Sequence, residues 1–362
     1  MKVYYDARWI LVENRFDGIS RYSHELAWAL AEQPGIEPVW IVYDERQLAK
    51  LPAGEHVMVT SPYNQLAELF VPLRLNRHGA KLVYSPFFLM GTLGKRYKLV
   101  LTIHDLIYFT HRTPPQWYKW YERLAFWLFH TTYWPLRWQL NSADVVATVS
   151  NTARDELIKA HATKRDIVVV PNAVNSELFS DTTPRQHATM DGVVFMGAFT
   201  PYKNVECLID AAALVPDVTL HLCGKLPPAR RPEIEARIAK RGIASRVVLY
   251  DGATDDQYRA ALAQARCAMS ASKLEGFGLP LIEAQQAGVP FGAADTAIFR
   301  EVGGDSVLFF DPDSPEQAAD IMCKFADPIV SHDYIDRGFK NAARYTWANS
   351  ASVAVSICQR LS

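Results

Sequence analysis

Two carboxylates with seven residues between them, Glu275 and Glu283, bracket the stretch Gly276-Phe277-Gly278-Leu279-Pro280-Leu281-Ile282. The run ending near Ser270 reads as a strand. Pro280 fits the first turn of a helix, where its missing N–H costs nothing. The two glycines permit a tight turn with exposed backbone N–H groups. A strand, a glycine loop and a helix N-terminus, in that order, make a site for phosphate. Glu275 falls in the loop and Glu283 about one turn into the helix, so the pair can reach different parts of one extended ligand. The competing reading is a plain strand–helix turn with two solvated carboxylates.

Other residues carry weaker signals. His104-Asp105 ends the apolar run Lys98–Ile103, and the carboxyl end of a parallel strand is where a ligand residue belongs; a capped turn with a structural histidine is the alternative. Gly18 follows the first strand and precedes a helix, so its backbone can approach a ligand closely. It sits in a polar loop with Glu13, Asn14, Arg15 and Asp17. Lys203 stands between a strand and a helix, and Asn172 follows a strand, placed to serve a hinge or a site. Gly224-Lys225 ends the run Val218–Leu222. Asp311-Pro312-Asp313 has the D-x-D spacing of a metal site, but it precedes a helix starting near Pro315, where aspartate is an ordinary cap. No metal is expected.

These residues need parallel sheets to position them, and the chain supplies the pattern. Candidate strands are Val3–Tyr5, Pro38–Tyr43, Lys81–Tyr84, Lys98–Ile103, Asp144–Val149 and Ile167–Val170, then Gly192–Met196, Val218–Leu222, Val247–Tyr250 and Ala268–Ser270. Helical stretches such as Ile19–Gln33 and Asn151–Ala160 alternate with them. That alternation predicts an α/β fold of two Rossmann-like, doubly wound domains. The polar stretch Ser176–Asp191 reads as their linker, giving domains at 1–180 and 181–340, with a terminal helical segment at 341–362. Ligands are then expected in a cleft at the carboxyl edges of the sheets.

Composition bounds the rest. The 362 residues are 49% hydrophobic and 21% charged with net charge −1, which excludes a disordered chain and argues against a nucleic-acid binder. Five scattered cysteines without C-x-x-C spacing read as reduced thiols. With no signal peptide and no long apolar run, the expected address is the cytoplasm, with peripheral contact at the inner face of the membrane allowed. The segment His111–Leu140 holds ten aromatic residues, five of them tryptophan. Trp117, Trp120, Leu124, Trp127, Trp134 and Trp138 keep helical spacing, and Arg112, Lys119, Arg123 and Arg137 are interleaved. Tryptophan and arginine together suit a lipid–water boundary, so Trp117, Trp120, Arg123 and Trp127 are candidate membrane or acceptor contacts. A helix packed on its own sheet is the alternative.

The E-x7-E pattern with its internal G-F-G-L-P resembles glycosyltransferase family 4, whose members have the GT-B fold. The likeness continues through Ala284-Gln285-Gln286-Ala287-Gly288-Val289-Pro290, Arg300-Glu301-Val302, Leu308-Phe309-Phe310-Asp311-Pro312, Val170-Pro171-Asn172 and Phe195-Met196-Gly197 to His104-Asp105 and Gly18-Ile19-Ser20-Arg21-Tyr22. It implies a nucleoside diphosphate sugar as co-substrate, no metal or other cofactor, and a last helix crossing back to the first domain. It also implies transfer to a hydroxyl with retention. By the same resemblance Glu275 holds sugar hydroxyls and Glu283 the ribose. The backbone of Phe277, Gly278 and Leu279 faces the donor, Lys203 the diphosphate, Gly224-Lys225 the base region, and His104 the transferred sugar. Two departures stand out. Ala198 and Tyr202 occupy the positions that usually supply an arginine, and Asp17 replaces a first glycine. Thr102-Ile103-His104-Asp105-Leu106-Ile107 is most similar to bacterial mannosyltransferases using GDP-mannose, and the aromatic segment points to a lipid-linked or cell-envelope glycan as acceptor. A nucleotide-sugar epimerase of the same fold, or a catalytically weak member binding a membrane or partner, are the rival readings.

Overall fold

The computed structural model describes residues 1–12, 18–114, 118–174 and 190–362. The chain forms two compact units, Met1–Ala173 with Thr346–Ser362, and Val174–Tyr345. In the first unit the strands are β1 (Lys2–Asp6), β2 (Glu37–Val42), β3 (Glu55–Met58), β4 (Leu82–Ser85), β5 (Lys98–Ile103), β6 (Val145–Thr148) and β7 (Asp166–Val169). All pair in parallel, in the order β3-β2-β1-β4-β5-β6-β7. Helices α1 (Gly18–Ala31), α2 (Gln65–Glu68), α3 (Val71–Arg77), α4 (Ile107–Thr110), α5 (Trp120–Thr131), α6 (Trp134–Asn141) and α7 (Asn151–Lys159) accompany them. In the second unit β8 (Gly192–Phe195), β9 (Thr219–Leu222), β10 (Val247–Leu249), β11 (Ala265–Ser270), β12 (Phe291–Ala294) and β13 (Val307–Phe310) form a parallel sheet ordered β10-β9-β8-β11-β12-β13. Its helices are α8 (Val205–Leu214), α9 (Arg231–Lys240), α10 (Asp255–Ala263), α11 (Leu279–Gln286), α12 (Ala297–Gly303), α13 (Pro315–Lys324) and α14 (Pro328–Ala342).

Covered sheets make legible strands. β4 and β6 are buried at every position and are apolar up to their last residues, Ser85 and Thr148. Each sheet reverses its order of growth once, at β1/β4 and at β8/β11. Loops leaving neighbouring strands there turn to opposite sides and open a crevice at the carboxyl edge of that sheet. The last helix, α15 (Trp347–Leu361), belongs to the first unit and packs on α1. Its entry is fixed by Thr346, whose side chain accepts from the Asn349 N–H, and by Ser350 Oγ, which donates to the Pro171 carbonyl at 2.7 Å.

In the aromatic segment His111–Leu140 the sequence predicts a helix bent or ended by Pro135, and the break falls just before that proline. The segment contains two helices, α5 and α6, broken at Thr132, whose backbone is extended. Pro135 takes the second position of α6, where a proline ring displaces no hydrogen bond. Trp117 and nearly all of the expected linker, 176–189, lie outside the described residues.

Candidate functional site

The second unit gathers most of the expected residues at its own β8/β11 edge. Gly197 leaves β8, and a short 3-10 turn, Pro201–Lys203, leads into α8. Asn204 then takes a left-handed backbone, φ 51°, and its side chain donates to the Pro312 carbonyl at 2.7 Å. From β11, the loop through Lys273 returns its backbone N–H to the Tyr202 carbonyl at 2.8 Å. The two loops are therefore stitched together. Across the stitch the Lys203 ammonium donates to Glu275 Oε1 at 2.5 Å, both side chains being mostly shielded. A lysine and a carboxylate 72 positions apart thus share one edge of one sheet.

Glycines set how closely the backbone packs here. A Cβ on Gly224 would stand 1.7 Å from the Gly197 carbonyl oxygen, so the ends of β8 and β9 meet backbone to backbone. Gly278 has φ +89° and caps α11, and a Cβ there would press the Phe299 ring at 2.8 Å. With Pro280 in the first turn, α11 presents its N-terminal N–H groups beside Glu275 in sequence, the electropositive end suited to an anion. Phe277 is buried against Tyr345, so only its backbone can serve a ligand. Glu283 is 4% exposed within α11. Lys225 is exposed, its stem lying near Gly252.

The D-x-D stretch has another use. Ser314 caps α13, not either aspartate. Asp311 accepts from the Asp313 N–H at 2.9 Å, and Asp313 pairs with the Lys273 ammonium at 2.5 Å. A buttress that the sequence did not signal is Arg230. Its Nε donates to the Phe199 carbonyl at 3.1 Å, and its guanidinium pairs with Glu206 and Glu233. It braces the Gly197–Lys203 loop, and only the local Arg230–Glu233 spacing marks it in the sequence.

In the first unit, His104 follows β5, and its Nε2 is 2.9 Å from the Pro86 carbonyl. A carbonyl only accepts, so Nε2 carries the proton. The ring meets the edge of buried Tyr22 at 4.7 Å, and Tyr22 in turn meets Trp347 of α15. Asp105 accepts from the Ile107 N–H at 2.9 Å, an ordinary turn cap. Near it, burial and then the Asp105 charge push the Glu156 carboxyl above its usual range. Gly18 is exposed at the start of α1, with open space where a Cβ would go. Asn172 is buried, and its Oδ1 accepts from the Ala173 N–H.

Beneath this edge lies a buried ionic network. Arg8 makes two bonds to Asp6, at 2.7 and 2.9 Å, and two to Glu68, at 2.6 and 3.0 Å. Ser85 Oγ donates to Asp6 and the Gly91 N–H to Glu68. Burial pulls the Arg8 guanidinium down, but the two carboxylates outweigh it and hold it above its ordinary value. The network ties the ends of β1 and β4 to α2. Its signal in the sequence is a charged pair, Asp6 and Arg8, inside an apolar run.

The aromatic helices divide by face. His130, Leu136 and Leu140 point inward, His130 against Phe109 of α4, while Trp120 is 76% exposed and Trp127 48%; Arg123 is exposed beside them. Among the described residues no helix is long and apolar enough to cross a membrane.

Family models match both halves. Glycosyltransferase Family 4 matches residues 16–178, and Glycosyl transferases group 1 matches residues 186–340. O-antigen chain mannosyltransferase B of Escherichia coli is 25% identical over 374 residues, covering 94% of this chain and 95% of its own. MMP alpha-(1->4)-mannosyltransferase of Mycolicibacterium hassiacum is 27% identical over 60% of this chain and 54% of its own. Among solved structures, sucrose-phosphate synthase of Thermosynechococcus elongatus superposes with TM-score 0.75 at 19% identity, covering 99% of this chain and 98% of its own. HepE of Anabaena, solved with UDP and glucose, superposes over all of both chains with TM-score 0.73 at 19% identity. Two parallel sheets of this kind are the GT-B fold.

Proposed function

The chain belongs to the family 4 glycosyltransferases, and from that premise we propose that it moves a mannosyl group from GDP-mannose to a hydroxyl of a lipid-linked or cell-envelope glycan, with retention at the anomeric carbon. The observation that carries the reading is the similarity to an O-antigen mannosyltransferase across nearly the full length of both chains. Other O-antigen and serotype mannosyltransferases among the relatives support the same class of acceptor.

In this reading the second unit holds the donor. The α11 N-terminus and Lys203 take the diphosphate, and Glu275 the sugar hydroxyls, with Glu283 on the ribose. Lys203 and Glu275 neutralise each other, so an arriving diphosphate competes with a carboxylate for the same ammonium. Its greater charge wins the lysine and leaves Glu275 to accept hydroxyl protons from the sugar. The leaving diphosphate takes the acceptor proton, and its growing charge is stabilised by donors already in position. His104 and Gly18 serve the substrates from the first unit, whose exposed aromatic and basic residues meet a membrane surface.

A panel of radiolabelled nucleotide sugars, each incubated with and without lipid-linked glycan, tests this. GDP-mannose should be consumed fastest, and faster with acceptor. Preference for a uridine donor would overturn the donor assignment. Interconversion without acceptor would favour an epimerase, and no nucleotide binding by calorimetry a non-catalytic member.

A further inference from the structure

The first unit carries an apolar cavity of about 390 Å³, lined by Leu89, Phe129, Trp134, Pro135, Trp138 and Gln139. The polar group among these is turned away from it. The Gln139 amide donates to the Phe88 and Met90 carbonyls at 3.0 and 2.7 Å. That leaves a cavity walled by hydrocarbon and indole, open to solvent, with Trp134 70% and Trp138 60% exposed at its rim. The loop that supplies Leu89 joins β4 to β5 and passes α3. The Asn76 side chain donates to the Gly94 carbonyl at 2.8 Å, and exposed Leu73 lies against Gly94, next in sequence to exposed Leu93.

Charge says what covers this surface. Residues 61–140, which contain α3, this loop and both aromatic helices, hold ten basic and three acidic side chains, net +7. All three acids are partly shielded and engaged: Glu68 serves Arg8, Asp105 caps a turn and Glu122 caps α5, while Asp144 just past this stretch pairs with Lys95 and Lys98. Apolar walls rimmed by tryptophan, in a stretch whose exposed charge is mostly cationic, fit an amphiphile with an anionic head.

We propose that this cavity binds the hydrocarbon chain of the phosphate-headed lipid that carries the acceptor. The inference rests on the lipid-linked acceptor reading above. A chain enters by burying methylenes one at a time, each worth about fourfold in affinity, until the cavity is filled. Bulk membrane partitioning has no such limit.

The experiment uses n-hexyl, n-octyl and n-decyl phosphate below their micelle concentrations, read by calorimetry and tryptophan fluorescence. Affinity should climb with chain length and then level off, with inorganic phosphate far weaker. Leu89→Trp, from an exposed loop position, should fill the cavity, abolish the chain-length dependence and leave sedimentation with anionic liposomes intact. Saturating octyl phosphate should not release wild-type protein from those liposomes. Affinity independent of chain length, or an unaffected Leu89→Trp variant, overturns the proposal. So does joint loss of liposome binding, or release by octyl phosphate, since the cavity would then belong to a general membrane face. Donor turnover in the same preparations separates the two readings. Turnover with no chain binding retires the cavity alone, and chain binding with no turnover retires the transferase reading alone.

Discussion

At the scale of single residues, the Lys203–Glu275 pair is the feature with the sharpest consequences. If Lys203 is the cation for a diphosphate, Lys203→Ala should weaken binding of GDP more than binding of GMP, by about tenfold or more for a lost charge-assisted contact. Equal losses measured by calorimetry would place the lysine away from the diphosphate. Glu275→Ala should act on turnover, lowering kcat on the order of 10²-fold as expected for a preorganised polar group. Full activity would remove Glu275 from the site. Gly18 gives a cleaner separation of structure from function. Its φ is ordinary and no atom stands where a Cβ would go, so Gly18→Ala should leave the melting temperature unchanged or raised, with stability within about 1 kcal/mol of wild type. A loss of activity in that stable variant would mean that a ligand, not the fold, needs the glycine. Unchanged kinetics would mean that nothing approaches it.

At the scale of elements, legibility followed runs of large apolar and β-branched residues. Strands carrying such runs announced themselves, and β5 matches its expected bounds, Lys98–Ile103, residue for residue. Three strands gave no signal. β3 is an edge strand reading Glu-His-Val-Met, with one buried side chain. β12 reads Phe-Gly-Ala-Ala because its neighbours leave no room: a Cβ on Gly292 would lie 2.9 Å from Ile321 and 3.0 Å from Met269. β13 reads Val-Leu-Phe-Phe, an apolar run no longer than a helical turn and readable either way. At the site, the glycine loop and its carboxylate were readable because local chain geometry dictates them. The contact of Gly197 with Gly224 and the brace from Arg230 were not, because sheet order creates them. Gly224→Ala tests this. The added methyl must push the two backbones apart, so a loss of about 3 kcal/mol or more is expected from denaturant unfolding. A wild-type midpoint would refute the contact. On α5, burial among aromatic rings lowers the His130 pKa below 6.5, and its Nδ1 faces the Phe126 carbonyl at 2.8 Å. A folded-state pKa below the unfolded one favours the neutral ring. Stability is then full above pH 6.5 and declines as pH falls toward the folded value. His130→Phe should flatten that decline in thermal melts between pH 7.5 and 5, and an unchanged slope would assign it to other groups.

At the scale of the whole molecule, the even charge balance conceals a strong polarity. The net charge is −1, yet residues 61–140 alone carry +7, which leaves −8 on the other 282. The net charge over residues 1–180 is only +3, which is why the polarity stays hidden when the chain is divided in halves. The positive stretch is also the one that exposes Trp120, Trp127, Trp134 and Trp138. The two terms act differently on a membrane. Cations near an anionic surface contribute about 1 kcal/mol each and weaken with salt, whereas tryptophan at the interface is indifferent to salt. Sedimentation with liposomes should therefore rise with anionic lipid content and fall between low and high salt without reaching zero. The paired variant Trp120→Ala and Trp127→Ala should remove the fraction that survives high salt. Both rings are exposed, so the pair should melt within a few degrees of wild type. If wild-type protein binds zwitterionic and anionic liposomes alike, the positive stretch has no membrane to meet. If the paired variant unfolds, the two rings are structural, and the acceptor is then better sought among soluble glycans.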